Sequence, residues 1–308
     1  MTSAASPEFW LYLPQMRMPF GTMTERARAA ERAGFDGVAL MDHLAPPGLT
    51  SADMYDAMTT AAVIAMGTDR LKIGHLVLCS TFRHPSVLAQ QLVSLDHLSG
   101  GRCELGIGWG SVPGELTRFG LPLAAATARA ARLRECLQVI EALFTGQPAD
   151  FDGEFFTLRG AQLSPRPLGG RIPVVIGGGG ARLTMPLVAS YADWWNCPSY
   201  AIDRLDQLRP LAGRARISSQ HPVGLAPTPD DLPAVTALAQ RRFGSWGGLI
   251  SGTAADVAVR LAGFCDRGVE RFYLQFSDFA TPDTLARFGD EVIARLRARP
   301  PLDLAAGT

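Results

Sequence analysis

Leu71–Gly120 reads LKIGHLVLCSTFRHPSVLAQQLVSLDHLSGGRCELGIGWGSVPGELTRFG, and this stretch contains the pattern that decides the fold. Leu71–Leu78 is short and mostly apolar, as a buried strand is. Leucines at helical spacing follow Pro85, a residue that the first turn of a helix tolerates, and Gly100 ends this helix. Arg102–Gly108 is a second short apolar run. Strand, helix and strand in this order form a βαβ unit, which predicts a parallel sheet.

The same alternation of short apolar runs and helices continues along the chain. We predict further strands at Glu8–Pro14, Phe35–Leu40, Ile172–Gly180, Asp193–Asn196, His221–Leu225 and Arg271–Phe276. Eight strands that alternate with helices predict an α/β fold of the (β/α)8 TIM-barrel type, and an open doubly wound sheet is the alternative. We expect a single domain over 1–308. Residues 146–170 lie between the fourth and fifth strands and are expected to form an inserted hairpin or lid.

Composition excludes several functional classes. The chain has 29 basic and 29 acidic residues, so no net field attracts nucleic acid or an anionic membrane surface. No apolar run is long enough to span a membrane. The five cysteines show no CxxC spacing, so we expect neither a metal site nor a disulfide framework. The N-terminal residues lack a signal-peptide pattern, and a cytoplasmic location is expected.

In either α/β fold the functional residues follow the carboxyl ends of the strands. The residues at these positions are Asp42, His43, Leu76–Arg83, Gly108–Ser111, Gly177–Arg182, Asn196, Gln275 and Ser277. Gly177–Gly180 follow a strand and open a helix, so their N–H groups and the helix dipole favour a phosphate, to which Arg182 can add a guanidinium. The alternative is a tight turn that binds nothing.

Two further patterns at these strand ends indicate a ligand. A carboxylate such as Asp42 can hold one nitrogen of His43 and leave the other nitrogen facing a ligand. The alternative is a helix cap beside a structural histidine. Gly108 and Gly110 indicate a bulge or the close approach of a ligand. Trp109 between them either stacks on a flat ring or fills a gap.

Three blocks of the sequence, Thr81–Gly110, Gly114–Gly120 and Ile172–Asn196, resemble the luciferase-like monooxygenase superfamily, the flavin and deazaflavin enzymes related to bacterial luciferase. Met41–His43 and Ser251–Leu261 add to the resemblance, which spans nearly the whole chain. The pattern is more similar to the deazaflavin branch, which uses coenzyme F420, than to the branch that uses FMN. The resemblance implies a TIM barrel with an insertion, a homodimer and a flavin-like ring at the carboxyl ends of the strands.

The resemblance also implies roles for individual residues. The ring is expected to lie against a non-prolyl cis peptide bond between Leu76 and Val77, close to Gly108, Trp109 and Gly110. The cofactor phosphate is expected on Gly178, Gly179, Gly180, Ala181 and Arg182. Asp42 and His43 match an aspartate–histidine pair beside the cofactor.

One departure from the family pattern concerns an acidic residue. Some deazaflavin dehydrogenases have a glutamate directly after the glycines of strand four, whereas here Ser111 occupies that place and Glu115 lies four residues on. A cluster of lysines for a substrate phosphate is also missing, because Lys72 is the only lysine. We therefore do not expect a sugar-phosphate dehydrogenase.

Three functions remain open at this point. With F420, the protein transfers hydride to or from a small organic substrate, and His43, held by Asp42, moves the proton. With FMN, it is a monooxygenase that uses O2 and receives reduced FMN from a separate reductase. The third possibility is a non-catalytic homologue that binds flavin.

Overall fold

The computed structural model describes residues 6–47 and 52–299. The strands in these ranges are β1 (Glu8–Tyr12), β2 (Gly37–Leu40), β3 (Lys72–His75), β4 (Leu78–Cys79), β5 (Leu105–Gly108), β6 (Ala149–Asp152), β7 (Thr157–Ala161), β8 (Val174–Gly177), β9 (Trp194–Cys197), β10 (Arg216–Leu225), β11 (Ile250–Gly252) and β12 (Arg271–Phe276). The α-helices are α1 (Phe20–Arg32), α2 (Ala57–Gly67), α3 (Pro85–Leu98), α4 (Pro113–Arg118), α5 (Ala126–Phe144), α6 (Thr184–Tyr191), α7 (Leu205–Leu208), α8 (Leu232–Phe243), α9 (Ala254–Asp266), α10 (Pro282–Arg287) and α11 (Ala294–Arg297).

The main sheet of the described residues is parallel and closes into a barrel. Its strand order is β3-β2-β1-β12-β10-β9-β8-β5-β4, with β11 added beside β10. β3 and β4 are two parts of one strand that is interrupted at Leu76 and Val77, and a bridge between Ile73 and Cys103 joins β3 to the residues before β5. Counting β3 and β4 as one, the ring has eight positions, which confirms the predicted (β/α)8 barrel.

Alternate residues of β12 face opposite sides of the barrel wall. Phe272, Leu274 and Phe276 are buried between the sheet and the surrounding helices, in the larger apolar core. Tyr273 belongs to a separate apolar cluster inside the barrel, where its ring lies 5.4 Å from that of Trp10. The side chains of Arg271 and Gln275 share the inward face with Tyr273, because side chains alternate along a strand.

Residues 146–170 contain an antiparallel hairpin of β6 and β7. Its turn is attached to α5, because the Glu135 carboxylate accepts hydrogen bonds from the N–H groups of Glu154, Phe155 and Phe156 at 2.8–3.2 Å. The guanidinium of Arg132, also on α5, lies 4.4 Å from the Phe156 ring. The hairpin therefore packs against a helix on the outside of the barrel. None of the helices described here is long and apolar enough to cross a membrane.

Candidate active site

A cavity of about 700 Å³ opens at the carboxyl ends of the barrel strands. Its size is typical of a site for a small molecule or cofactor. Many of the residues that the sequence places at the strand ends line it: Asp42, His43, Leu76, Val77, Gly108, Trp109, Gly110, Gly178, Gly179, Gly180 and Asn196. The acidic residues and histidines of its described lining are Asp42, Glu115 and His43, and this lining contains no lysine or arginine.

Leu76 and Val77 form one wall of the cavity. They lie between β3 and β4, where this barrel strand is interrupted. The peptide bond between them is cis, as the resemblance implied. The Tyr12 hydroxyl donates a hydrogen bond to the Leu76 carbonyl at 3.1 Å. A Cβ on Gly108 would lie 2.8 Å from Cγ2 of Val77, so only glycine leaves room for this wall at that position. The result is a mostly apolar surface fixed from behind by β1 and β5.

The glycine loop after β8 forms a second wall. Gly178 has a φ of +138°, a value that favours glycine, and its carbonyl accepts a hydrogen bond from the indole of Trp195 at 2.9 Å. A Cβ on Gly179 would lie 2.7 Å from Cβ of Ala201. The loop leads into α6, whose first residue, Thr184, also lines the cavity. Closely packed glycines before a helix fit the phosphate of a cofactor.

His43 is held by Glu115 rather than by its neighbour Asp42. The Glu115 carboxylate lies 2.9 Å from Nδ1 of His43 and accepts hydrogen bonds from the N–H groups of Leu44 at 2.7 Å and Ala45 at 3.2 Å. An ionised carboxylate can only accept, so Nδ1 of His43 carries the hydrogen. This leaves Nε2 of His43 for a ligand.

Asp42 has a different set of partners, which corrects the expectation that it orients His43. Its carboxylate makes two hydrogen bonds to the Arg83 guanidinium, at 2.7 and 3.0 Å, and accepts one from the N–H of Cys79 at 2.8 Å. Arg83 also pairs with Asp56 at 3.0 Å. Burial lowers the pKa of Arg83, but the bonds and charges of Asp42 and Asp56 outweigh it, so the pKa is raised. Through these hydrogen bonds, Asp42 connects the end of β2 with β4 and with the turn before α3.

Trp109 and Gly110 follow β5 at the rim of the cavity. Gly110 has a φ of +85°, and its carbonyl accepts a hydrogen bond from Arg129 at 2.8 Å. The same guanidinium lies 5.9 Å from the Trp109 ring. The indole is therefore oriented from α5 and presents a partly exposed aromatic surface to the cavity.

Two proposed phosphate ligands and the insertion are not part of the described cavity lining. The side chains of Ala181 and Arg182 are exposed and are not part of the lining, so their assignment to the cofactor stays a prediction. The described hairpin residues are also absent from the lining, so a role of the insertion as a lid stays a prediction. Lining residues that the sequence did not indicate include Tyr12, Thr184, Gln220 and Trp246.

Comparison with known proteins agrees with this architecture. An F420-dependent glucose-6-phosphate dehydrogenase of Rhodococcus erythropolis is 37% identical over 172 residues, which cover 55% of this chain and 49% of that enzyme. A similar enzyme of Mycolicibacterium fortuitum is also 37% identical over 172 residues, with 55% and 49% covered. The chain thus spans about half the length of the curated relatives it matches.

A solved structure shows the same fold along nearly the whole chain. It is an F420-dependent secondary alcohol dehydrogenase in complex with an F420–acetone adduct, with a TM-score of 0.78, 17% identity, and 96% of this chain and 100% of that chain covered. The model of the luciferase-like monooxygenase family matches residues 2–263. The chain therefore belongs to the luciferase-like monooxygenase family.

Proposed function

We propose that this protein is an oxidoreductase that binds coenzyme F420 in the barrel cavity and transfers hydride to or from a small organic substrate. The observation that carries the proposal is the His43–Glu115 pair, which lies in the same cavity as the Leu76–Val77 wall and the glycine loop. The curated relatives named above are F420-dependent, which favours this coenzyme over FMN. F420 supplies the hydride chemistry when bound.

The residues of the cavity have separate roles in binding the cofactor and in moving the proton. Leu76 and Val77 offer an apolar support for a flat ring, and Gly179 and Gly180 offer backbone N–H groups to a phosphate. His43 donates or accepts the proton that accompanies hydride transfer, through Nε2. Glu115 is a positioning residue that holds His43. Asp42 acts indirectly, because it fixes Cys79 and the turn at Arg83 next to the cavity wall.

Parallel titrations of the purified protein with F420 and with FMN test this function. We expect F420 to bind at micromolar or lower Kd, and FMN to bind at least about tenfold more weakly, a difference of about 1.4 kcal/mol. Quenching of cofactor fluorescence measures both constants. A preference for FMN would instead indicate an O2-using monooxygenase that needs a separate reductase. Failure of both to bind would overturn the proposal.

The charges of the cavity disfavour a phosphorylated substrate. Away from the glycine loop, which we assign to the cofactor phosphate, a phosphate dianion would need cationic donors, whereas the described lining contains two carboxylates and no lysine or arginine. We expect kcat/KM for glucose 6-phosphate to be at least about 100-fold below that of the Rhodococcus erythropolis relative, because charged groups without partners are rejected strongly. The rate of F420 reduction by glucose 6-phosphate, measured for both enzymes in parallel, checks this. Equal rates would contradict it.

We also propose a homodimer that forms through α2 and the adjacent α3. α2 has the sequence AMTTAAVIAMG, without a charged residue, yet Val63 and Met66 on it are 38% and 70% exposed. Val87 on α3 is 50% exposed, and the two helices pack against each other. A helix with so few polar side chains is normally buried against other parts of the protein or against a partner chain.

The dimer proposal predicts that charge on this face separates the subunits. The double variant Val63→Asp/Met66→Asp is expected to be a monomer by light scattering after size-exclusion chromatography. Val259→Asp, at a 64% exposed valine on α9, is the matched control and should behave as the unmodified protein does. A monomeric unmodified protein, or a double variant that stays dimeric, would refute this interface.

A further inference from the structure

Three neighbouring strands of the barrel carry side-chain amides, near the carboxyl ends of β9 and β12 and in the middle of β10. Asn196 on β9 and Gln220 on β10 line the cavity, and Gln275 is on β12. These strands are adjacent in the sheet, where β10 lies between β9 and β12. The side of the cavity at β9, β10 and β12 is therefore polar but uncharged, in contrast to the apolar wall of Leu76 and Val77.

Gln275 points into the barrel beside lining residues, although it is not itself part of the described cavity lining. It is two residues beyond Tyr273, which is inside the barrel, and therefore faces the same way. In the sheet it pairs with Pro222 on β10, two residues beyond Gln220. Leu11 pairs with Leu274, which places Tyr12, a lining residue, beside Gln275.

The amide of Gln275 has no hydrogen-bond partner in the part of the chain that the structure describes. The side chain is 1% exposed, and neither Nε2 nor Oε1 makes a hydrogen bond to the described residues. Buried amides in proteins are almost always paired, because an unpaired donor or acceptor that has lost water is costly. An amide with both a free donor and a free acceptor inside a binding barrel needs a complementary group from elsewhere.

The position of β10 in the ring relates these glutamines to the substrate. Starting from the β3–β4 strand, the order is β2, β1, β12, β10, so β10 is four positions away in a ring of eight. Leu76 and Val77 therefore lie on the wall opposite Gln220. If a cofactor ring lies against Leu76 and Val77, its other face is directed toward Gln220 and Gln275. The substrate must occupy that space in order to exchange hydride.

We propose that Gln220 and Gln275 determine substrate specificity by binding an uncharged group that has both a hydrogen-bond donor and an acceptor, such as an amide or a lactam. This inference rests on the proposed function, because it assumes that the cofactor occupies the opposite wall. It extends that function by naming the substrate class, which is a neutral molecule with an apolar body and one amide-like group. The Nε2 and Oε1 atoms of Gln275 would then both be satisfied.

A matched pair of probes tests the proposal without knowledge of the natural substrate. The lactam 2-piperidone has a donor and an acceptor, whereas cyclohexanone has the same ring size and only the acceptor. NMR titration of each probe into protein loaded with oxidised F420 gives two Kd values. Their ratio, cyclohexanone over lactam, measures the contribution of the donor–acceptor group. The same ratio is measured for Gln220→Leu, for the nearly isosteric Gln275→Met, and for Gln207→Leu, an exposed control on α7.

We expect the ratio to fall about tenfold in Gln220→Leu and in Gln275→Met, the size of effect that loss of a buried polar partner produces, and to stay unchanged in Gln207→Leu. The Kd of F420 is expected to remain the same in all variants. A ratio that is unchanged in both glutamine variants would overturn the proposal, as would a Gln275→Met variant that changes only thermal stability. If F420 does not bind, the proposed function fails, and the ratio measured on the unloaded protein still decides the role of the glutamines.

Discussion

His43→Ala is expected to lower turnover by about 10²–10⁴-fold, the range typical for loss of a general acid or base. The affinity for F420 is expected to change less than about twofold, because one imidazole edge is a small part of the contact with a large cofactor. Nε2 of His43 is the ring nitrogen left for a ligand, since Nδ1 faces the Glu115 carboxylate at 2.9 Å. Steady-state rates and fluorescence titration of the same variant separate the two effects.

Glu115→Gln provides the second half of this test. The variant keeps the shape of the side chain but removes the charge that stabilises the protonated imidazole, so we expect a smaller loss of turnover than for His43→Ala and a shifted pH–rate profile. His97→Ala, at an exposed histidine on α3, is the control and should leave both quantities unchanged. Full turnover of His43→Ala would contradict the assignment of the proton-transfer residue.

Arg271→Met is expected to lower the free energy of unfolding by about 3–5 kcal/mol, the cost of removing one partner of a buried ion pair. Arg271 has 0% exposure and closes the amino end of the barrel interior. Its guanidinium pairs with the carboxylates of Glu104 at 2.6 Å and Glu8 at 2.7 Å. It also lies 3.7 Å from the Trp194 ring and 4.4 Å from the Trp10 ring.

Urea denaturation at neutral pH measures this loss of stability. The matched control is Arg159→Met, which removes an ion pair with Asp152 whose side chains are 64% and 80% exposed. We expect the control to cost less than about 1 kcal/mol, since exposed pairs are hydrated and contribute little. If Arg271→Met costs no more than the control, the buried ion pairs are not what stabilises this end of the barrel.

The barrel could be predicted because its strands are short apolar runs between amphipathic helices. Arg271–Phe276 was predicted with the bounds that the structure has. β10 was predicted to begin at His221, but it begins at Arg216. The reason is that its inward positions Ser218 and Gln220 are polar, so the first half lacks an apolar pattern. Because this half of β10 lacks an apolar pattern, the sequence also gave no indication that Gln220 lines the cavity.

The sequence predicts where the site lies, but not which of its side chains pair with each other. Strand ends identify Asp42 and His43, and adjacency suggests that one holds the other. Consecutive residues after a strand point in different directions, however, and the two side chains have different partners. Glu115 is 72 residues from His43 in the chain. A contact at that separation depends on the closure of the barrel, which no local pattern encodes.

The most direct test of the central claim is a crystal structure of the protein with oxidised coenzyme F420. We predict that the ring lies against Leu76 and Val77, with Nε2 of His43 directed toward it. The cofactor phosphate should contact the backbone N–H groups of Gly179 and Gly180. Electron density for F420 outside this cavity, or an empty cavity at saturating F420, would contradict the account.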